Sequence, residues 1–305
     1  MKNFQNEIFA GITRISEPFK GVLLDAYGVF WGGNDCGILP GAKECMEKLV
    51  SSGKIVGVLS NSTQLVSKEV NKFLRHGLVQ GKHFHFLITS GEVARHIFFN
   101  ENLPFEIHKN KFWLFGGVHP KYGSHEAIFQ DTCYSEASHI DEADFAYISI
   151  PHINGEDQIN PELFRKELEK LKLKNLPMIC PNPDKFAHEG NPARAVVRQG
   201  SIALMYEEMG GQVFYIGKPH KKAYEIAMKD FQKFGSICHS EVLMVGDTPE
   251  TDIRGARLYG MPSALITKTG IMADRVAHNG LEAALKALDS NDSPNYFIER
   301  LIDDL

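Results

Sequence analysis

A chain of 305 residues with a formal net charge of −5 has room for one large domain or two ordinary ones, and its mild acidity gives no reason to expect nucleic acid or a membrane surface as partner. No run approaches the roughly 18 apolar residues of a membrane span, and the opening MKNFQNEIFAGITRISEPFK lacks the apolar core and cleavage site of a secretion signal. The five cysteines (Cys36, Cys45, Cys133, Cys180 and Cys238) are scattered and show no CxxC spacing, as expected of reduced, unpaired thiols in a cytoplasmic protein.

The first element is the apolar run Val22-Leu23-Leu24, which reads as a buried strand and ends in a single acid, Asp25. PGAKECMEKLVSSG follows, with Ala42, Cys45, Met46, Leu49 and Val50 at helical spacing and Gly53 as the stop. KIVGVLSNST is a second strand, Ile55 to Leu59, ending in Ser60-Asn61. A helix over about Leu65 to His76 and a third strand, HFHFLITSG, come next. This strand-helix-strand rhythm predicts a doubly wound parallel α/β sheet. The middle of the chain alternates too, with strands near Phe112 to Phe115, Phe145 to Ile150 and Met178 to Cys180 and a helix PELFRKELEKLKLK before the last. The far end returns to the same grammar. QVFYIGKP is a strand ending at Lys218, a helix carries Ala223, Ile226, Ala227, Phe231 and Phe234 on one face, EVLMVGDTPETD is a strand ending at Asp247, and Ser263 to Ile266 is another.

Open parallel sheets bind ligands outside the carboxyl ends of their strands. Four strands here end in reactive groups: Asp25, Ser60-Asn61, Lys218, and Asp247 with Asp252 just beyond. Turns need polar residues, which accounts for any one of them. It accounts poorly for four that suit phosphate and magnesium together. Mg²⁺ takes one or two carboxylates plus phosphate oxygens and water, and Asp25 and Asp247 can supply the carboxylates. A carboxylate is also a nucleophile toward phosphorus. Lys218 can offset the charge of nucleophile and phosphoryl group, Ser60 and the amide after it can hold phosphoryl oxygens, and Asp252 can anchor Lys218 or a metal-bound water.

The ordered motifs LLDAYGV, VLSNST, GKP and MVGDTPETD resemble the four signatures of the haloacid dehalogenase superfamily and span almost the whole chain. The resemblance implies that Asp25 is the nucleophile, Ser60 the phosphate-binding hydroxyl and Lys218 the charge-balancing lysine. It implies Asp247 as Mg²⁺ ligand, Asp252 as support, and the backbone carbonyl of Tyr27 as a further ligand. The gaps locate a cap: 35 positions separate Asp25 from Ser60, too few for a domain, whereas 158 separate Ser60 from Lys218. A cap placed there is similar to class IIA, the NagD-like nucleotide and sugar phosphatases. The resulting expectation is a Rossmann-like core of residues 1–88 and 196–305 with an inserted α/β cap of residues 89–195. CPNPDKF resembles that class's TNPD segment, which makes Asn182 and Asp184 candidate substrate contacts beside Ser60 and Asn61; a proline-rich turn closing a strand is the competing reading. The resemblance further implies an Mg²⁺-dependent phosphohydrolase of a small phosphorylated metabolite, with a homodimer through the cap as the assembly to look for.

The pattern breaks at Tyr27, where phosphatases of the superfamily carry a second Asp that protonates the leaving alcohol. Tyrosine, with an ordinary pKa of about 10, can give a proton but is a poor base at neutral pH. Three readings stand: a phosphohydrolase with an altered or missing acid, a protein that binds a phosphometabolite without turning it over, and a dehalogenase, whose first motif also has Asp-x-Tyr but whose cap falls where this chain has no room. His83 and His85 have a spacing that could hold a metal; the alternation favours Phe84 and Phe86 facing the core with the histidines outside. GGQVFYIGK is not a phosphate-binding P-loop, because five residues rather than four part its glycines.

Overall fold

The computed structural model describes residues 7–34, 36–100, 103–123, 125–189 and 194–304. Its strands in chain order are β1 (Ile8–Phe9), β2 (Gly21–Leu24), β3 (Ile55–Ser60), β4 (Phe86–Thr89), β5 (Lys111–Phe115), β6 (Ser135–Glu136), β7 (Phe145–Ile148) and β8 (His152–Ile153). They continue as β9 (Glu156–Asp157), β10 (Met178–Cys180), β11 (Phe186–Glu189), β12 (Arg194–Val197), β13 (Val213–Tyr215), β14 (Val242–Gly246), β15 (Ser263–Ile266) and β16 (Tyr296–Ile298). The chain divides into two units, one of Met1–Ser60, Ser67–Ile88 and Lys218–Leu305, the other of Asn61–Val66 and Thr89–Gly217.

The first unit is built on a seven-stranded sheet in the order β1-β16-β15-β14-β2-β3-β4. The ladders β1–β16, β16–β15, β15–β14, β14–β2 and β2–β3 are parallel. Strands β2 and β14 are buried along their whole length. Central parallel strands are covered on both faces, which is why GVLL and VLMVG are continuous apolar runs with no alternation. The helix Ala42–Ser51 packs on β3 through Cys45, Met46 and Leu49, and the helix Lys221–Gln232 through residues including Tyr224, Ala227 and Phe231. The strand order reverses between β14 and β2, so the crevice at their carboxyl ends is where such sheets take ligands.

The second unit carries its own parallel sheet, β13-β10-β7-β5-β6, and two antiparallel pairs, β8–β9 and β11–β12. Its core gathers Phe115, Ile148, Phe164, Leu168, Leu171 and Tyr206. The lysine-rich helix Arg165–Leu173 is seated by Leu168 and Leu171 and turns its charges away from them.

Three expectations change. The strand of QVFYIGKP does not join the central sheet; β13 pairs with β10 in register Met178↔Val213, so it and the helix Gln199–Glu208 belong to the second unit and the division falls at Gly217/Lys218 rather than after residue 195. His83 is buried, not outside. The strand starts only at Phe86, and His83 lies in the preceding turn, where its Nδ1 accepts from Val79 N at 2.9 Å. His85 Nδ1 accepts from Val56 N at 3.0 Å, so each ring is held by backbone rather than paired with the other. Phe234, placed on the buried helix face by its spacing, is exposed beyond the helix end.

Candidate active site

Asp25 follows the last residue of β2, and its N–H donates to Val245 O at 2.9 Å, carrying the β14–β2 ladder one step past the end of β2. Ser60 ends β3 and Asp247 follows β14, so three adjacent parallel strands deliver Asp25, Ser60 and Asp247 to one edge of the sheet. All three side chains are buried. Lys218 opens the last segment of the first unit, just before the helix Lys221–Gln232. Its Nζ lies 2.5 Å from Asp25 Oδ1 and 2.7 Å from Asp252 Oδ1, with the side chain only 1% exposed. A lysine is buried this deeply only when paired.

Asp252 is wholly buried, in a π-helical turn over Pro249–Ile253. Its Oδ2 accepts from Asp247 N at 3.1 Å and Thr248 N at 3.0 Å. Its Oδ1 faces the Lys218 ammonium as an ion pair, without a hydrogen bond. It is therefore placed to fix Lys218 and the Asp247 loop.

Asp25, Asp247 and Asp252 each offer a carboxylate oxygen, the three lying within 4.8 Å of one another. Burial, then the charges of Asp25 and Asp252, push the Asp247 carboxyl well above the usual carboxylate range, against a weaker pull from its bond with Ile271 N and from Lys218. One lysine thus leaves negative charge unbalanced. The Asp247 carboxylate accepts from Ile271 N at 2.6 Å and Thr248 Oγ1 at 3.2 Å. Gly28 and Gly270, both in the left-handed region, close against it, and a Cβ on either would strike it. An all-oxygen donor set with surplus charge and a cradle of glycines fits a hard divalent cation such as Mg²⁺.

Tyr27 stands two residues beyond Asp25, half-buried. Its phenol oxygen accepts from Lys72 Nζ at 3.1 Å. Lys72 also pairs with Glu69 one helical turn earlier and lies about 5.1 Å from the ring centroids of Tyr27 and Trp31. No motif marked Lys72 or Glu69; only the fold brings them to Tyr27.

The other candidates meet in the second unit. Asn61 Nδ2 donates to Asp184 Oδ1 at 2.9 Å, and Ser90 Oγ donates to Asn61 Oδ1 at 3.3 Å. Asn182 Oδ1 accepts from Asp184 N at 2.9 Å, a side-chain-closed turn of the kind the proline-rich reading anticipates. A small cleft beside the ends of β5 and β7 is lined by residues including Thr63, His119, Tyr122, Ser149 and Gln199, none singled out by its sequence context. His119 Nδ1 accepts from Lys121 N, so the neutral ring carries its proton on Nε2, and burial pushes the histidine below its ordinary range.

Known proteins resemble this chain. The family model of haloacid dehalogenase-like hydrolases matches residues 22–121, and a second, HAD-hydrolase-like, matches residues 215–303. Chronophin of Rattus norvegicus is 25% identical over 297 residues, covering 96% of this chain and 89% of its own. A haloacid dehalogenase-like hydrolase from Brucella suis superposes with a TM-score of 0.77 at 23% identity, covering 96% of this chain and 99% of that one. A structure described as a possible sugar phosphatase from Cytophaga hutchinsonii gives 0.72 at 19% identity, covering 98% and 100%. At these identities the two structures speak to the fold.

Proposed function

We propose that this chain, which belongs to the haloacid dehalogenase-like hydrolases, is a class IIA member and a divalent-metal-dependent phosphohydrolase of a small phosphorylated metabolite. The observation that carries this reading is Lys218, buried between Asp25 and Asp252 with Asp247 in the same cluster. Phosphoryl transfer is mostly positioning and charge neutralisation, and that group offers both.

In this reading an Asp25 oxygen attacks phosphorus and the alcohol departs, leaving an aspartyl phosphate that water then hydrolyses. Lys218 offsets the charge of nucleophile and phosphoryl oxygens, and the Ser60 hydroxyl donates to one of those oxygens. Asp252 keeps Lys218 and the Asp247 loop in place. Asp25, Asp247 and the Tyr27 carbonyl would hold Mg²⁺, which when bound neutralises charge on the phosphoryl group. The second unit serves as the cap that excludes water and selects the substrate. Sugar phosphates and nucleotides are the substrate classes proposed; the name of the Cytophaga protein supports the first. None of the five cysteines is in a disulfide, which suits a reducing, cytoplasmic setting, and among the described residues no helix is long and apolar enough to cross a membrane.

Tyr27 in place of an acid favours a second reading, a protein that holds its phosphometabolite with little turnover. A Mg²⁺-supplemented screen of phosphorylated metabolites with Asp25→Asn as the blank separates the two. Phosphate release above the blank supports the phosphohydrolase; saturable binding without release supports the binder.

A further inference from the structure

The second unit's own sheet has a point where its winding reverses. The ladders β6–β5, β5–β7, β7–β10 and β10–β13 are all parallel. The chain steps outward from β5 to β6, then crosses back over β5 to β7 before continuing to β10 and β13. Open parallel sheets take ligands beyond the carboxyl ends of the two strands that flank such a reversal, here β5 and β7. The small cleft lies there. Its wall includes His119 from the loop after β5, Tyr147 and Ser149 from the end of β7, and Gln199 from the start of the helix Gln199–Glu208.

Buried polar atoms without a hydrogen-bond partner are few in folded proteins, and each calls for an explanation. Three residues of this one wall hold such an atom: His119 Nε2, Tyr147 Oη and Gln199 Oε1. The residues are 3%, 1% and 1% exposed. Asp157 Oδ1 stands 3.9 Å from His119 Nε2, beyond hydrogen-bond reach. Because His119 Nδ1 accepts from Lys121 N at 3.1 Å, Nε2 carries the proton of the neutral ring. Burial pushes that histidine below its ordinary range and the Tyr147 phenol above its own, so both stay uncharged donors at neutral pH. The wall thus offers two donors and one acceptor.

The charges bonded into the wall balance. Buried Arg198 donates to Asp157 Oδ1 and to Glu189 Oε1, each at 2.9 Å, and Tyr122 donates to Glu189 Oε2 at 3.0 Å. Lys121 lies 4.9 Å from the Tyr122 ring centroid. Two cations against two carboxylates leave no surplus to draw in an ion. A hydroxyl oxygen has two lone pairs and one proton, the complement of two donors and one acceptor.

We propose that this cleft binds a neutral, hydroxyl-bearing molecule of the sugar or polyol type, one hydroxyl of which accepts from His119 and Tyr147 and donates to Gln199. The proposal goes beyond the phosphohydrolase reading and does not need turnover. Two sources share the chemistry: a free polyol, and the sugar part of a phosphorylated substrate.

Saturation-transfer NMR with D-sorbitol reads binding directly; melting does not, because polyols raise the Tm of proteins generally by exclusion from their surface. The probe is titrated into the unmodified chain, Tyr147→Phe and Gln199→Met. Each substitution should weaken sorbitol by about two- to tenfold, the worth of one neutral hydrogen bond. Ligand-free Tyr147→Phe deletes a buried hydroxyl that has no partner and should melt no lower than the unmodified chain, so its weaker binding is not a folding defect. Sorbitol 6-phosphate, titrated in the Asp25→Asn background, separates the sources. An equal loss from Tyr147→Phe assigns the cleft to the sugar part of a substrate; a loss for free sorbitol alone assigns it to a separate ligand. No saturation transfer to sorbitol, or transfer that neither substitution weakens, would overturn the proposal. A lower Tm for ligand-free Tyr147→Phe would overturn it too, since the phenol would then already be satisfied by an ordered water. None of these readouts needs phosphate release, so failure of the phosphohydrolase reading would leave the result standing.

Discussion

Replacing Lys218 with methionine tests the charge pattern of the site without relying on a substrate. Methionine keeps much of the buried stem and removes the ammonium. Lys218 lies 2.5 Å from Asp25 and 2.7 Å from Asp252, and these acids share a 4.8 Å cluster with Asp247. Without it, three carboxylates face one another and the ammonium that pairs with two of them is gone. Removing one partner of a buried ion pair costs about 3–5 kcal/mol. The low end applies here, because Asp25 keeps 11% of its side chain in solvent and burial already disposes Asp247 to keep a proton. In a unit of this size 1 kcal/mol moves Tm by about 2–4 °C, so the metal-free variant should melt about 6–12 °C lower. Mg²⁺ should then recover more stability in the variant than in the unmodified chain. The cluster it meets is more negative, and a ligand at a hundred times its Kd contributes about 2.7 kcal/mol. Calorimetry on both proteins, with and without Mg²⁺, gives all four values. A metal-free fall below about 2 °C, or a Mg²⁺ shift no larger in the variant, would refute the claim that Lys218 offsets this cluster.

Other outcomes follow from the same geometry. Tyr27→Asp should flatten the leaving-group dependence and raise alkyl phosphate turnover by about ten- to a hundredfold, short of the full range for acid–base catalysis because Lys72 favours the ionised carboxylate; a series already flat in the unmodified chain would remove the missing-acid argument. Asp247→Asn should relieve carboxylate repulsion and so raise the metal-free Tm while abolishing the Mg²⁺-induced shift and Mg²⁺-dependent turnover; a surviving Mg²⁺ shift would take Asp247 out of the metal site. Native titration with an aromatic disulfide at mildly alkaline pH should find the exposed Cys36, Cys133 and Cys238. Cys45, whose thiol burial pushes up to about 12, and Cys180, also raised by burial, should react only on unfolding, so rapid native reaction at all five would contradict the packing.

The strand ends were legible because the apolar runs of buried parallel strands are unmistakable and each stops at a polar residue: Asp25 after β2, Ser60 closing β3, Asp247 after β14. What escaped was non-local. Val213–Tyr215 reads as a strand whichever sheet it joins, and only its pairing with β10 assigns it to the second unit. The edge strand β1 and its neighbour β16, two and three residues long, carry too little pattern to stand out. His83 was misplaced because an alternation rule was applied to residues that precede the strand. The contact of Lys72 with Tyr27 spans 45 positions, and nothing around either residue announces it.

The central claim is that Asp25 forms a covalent bond to phosphorus, and acid-quenched turnover with peptide mass spectrometry reads it most directly. With Mg²⁺ and a 4-nitrophenyl phosphate substrate, a phosphate adduct labile to hydroxylamine should form on the peptide containing Asp25 and be absent from Asp25→Asn. Turnover with the adduct on a different residue, or undiminished turnover by Asp25→Asn, would contradict the account.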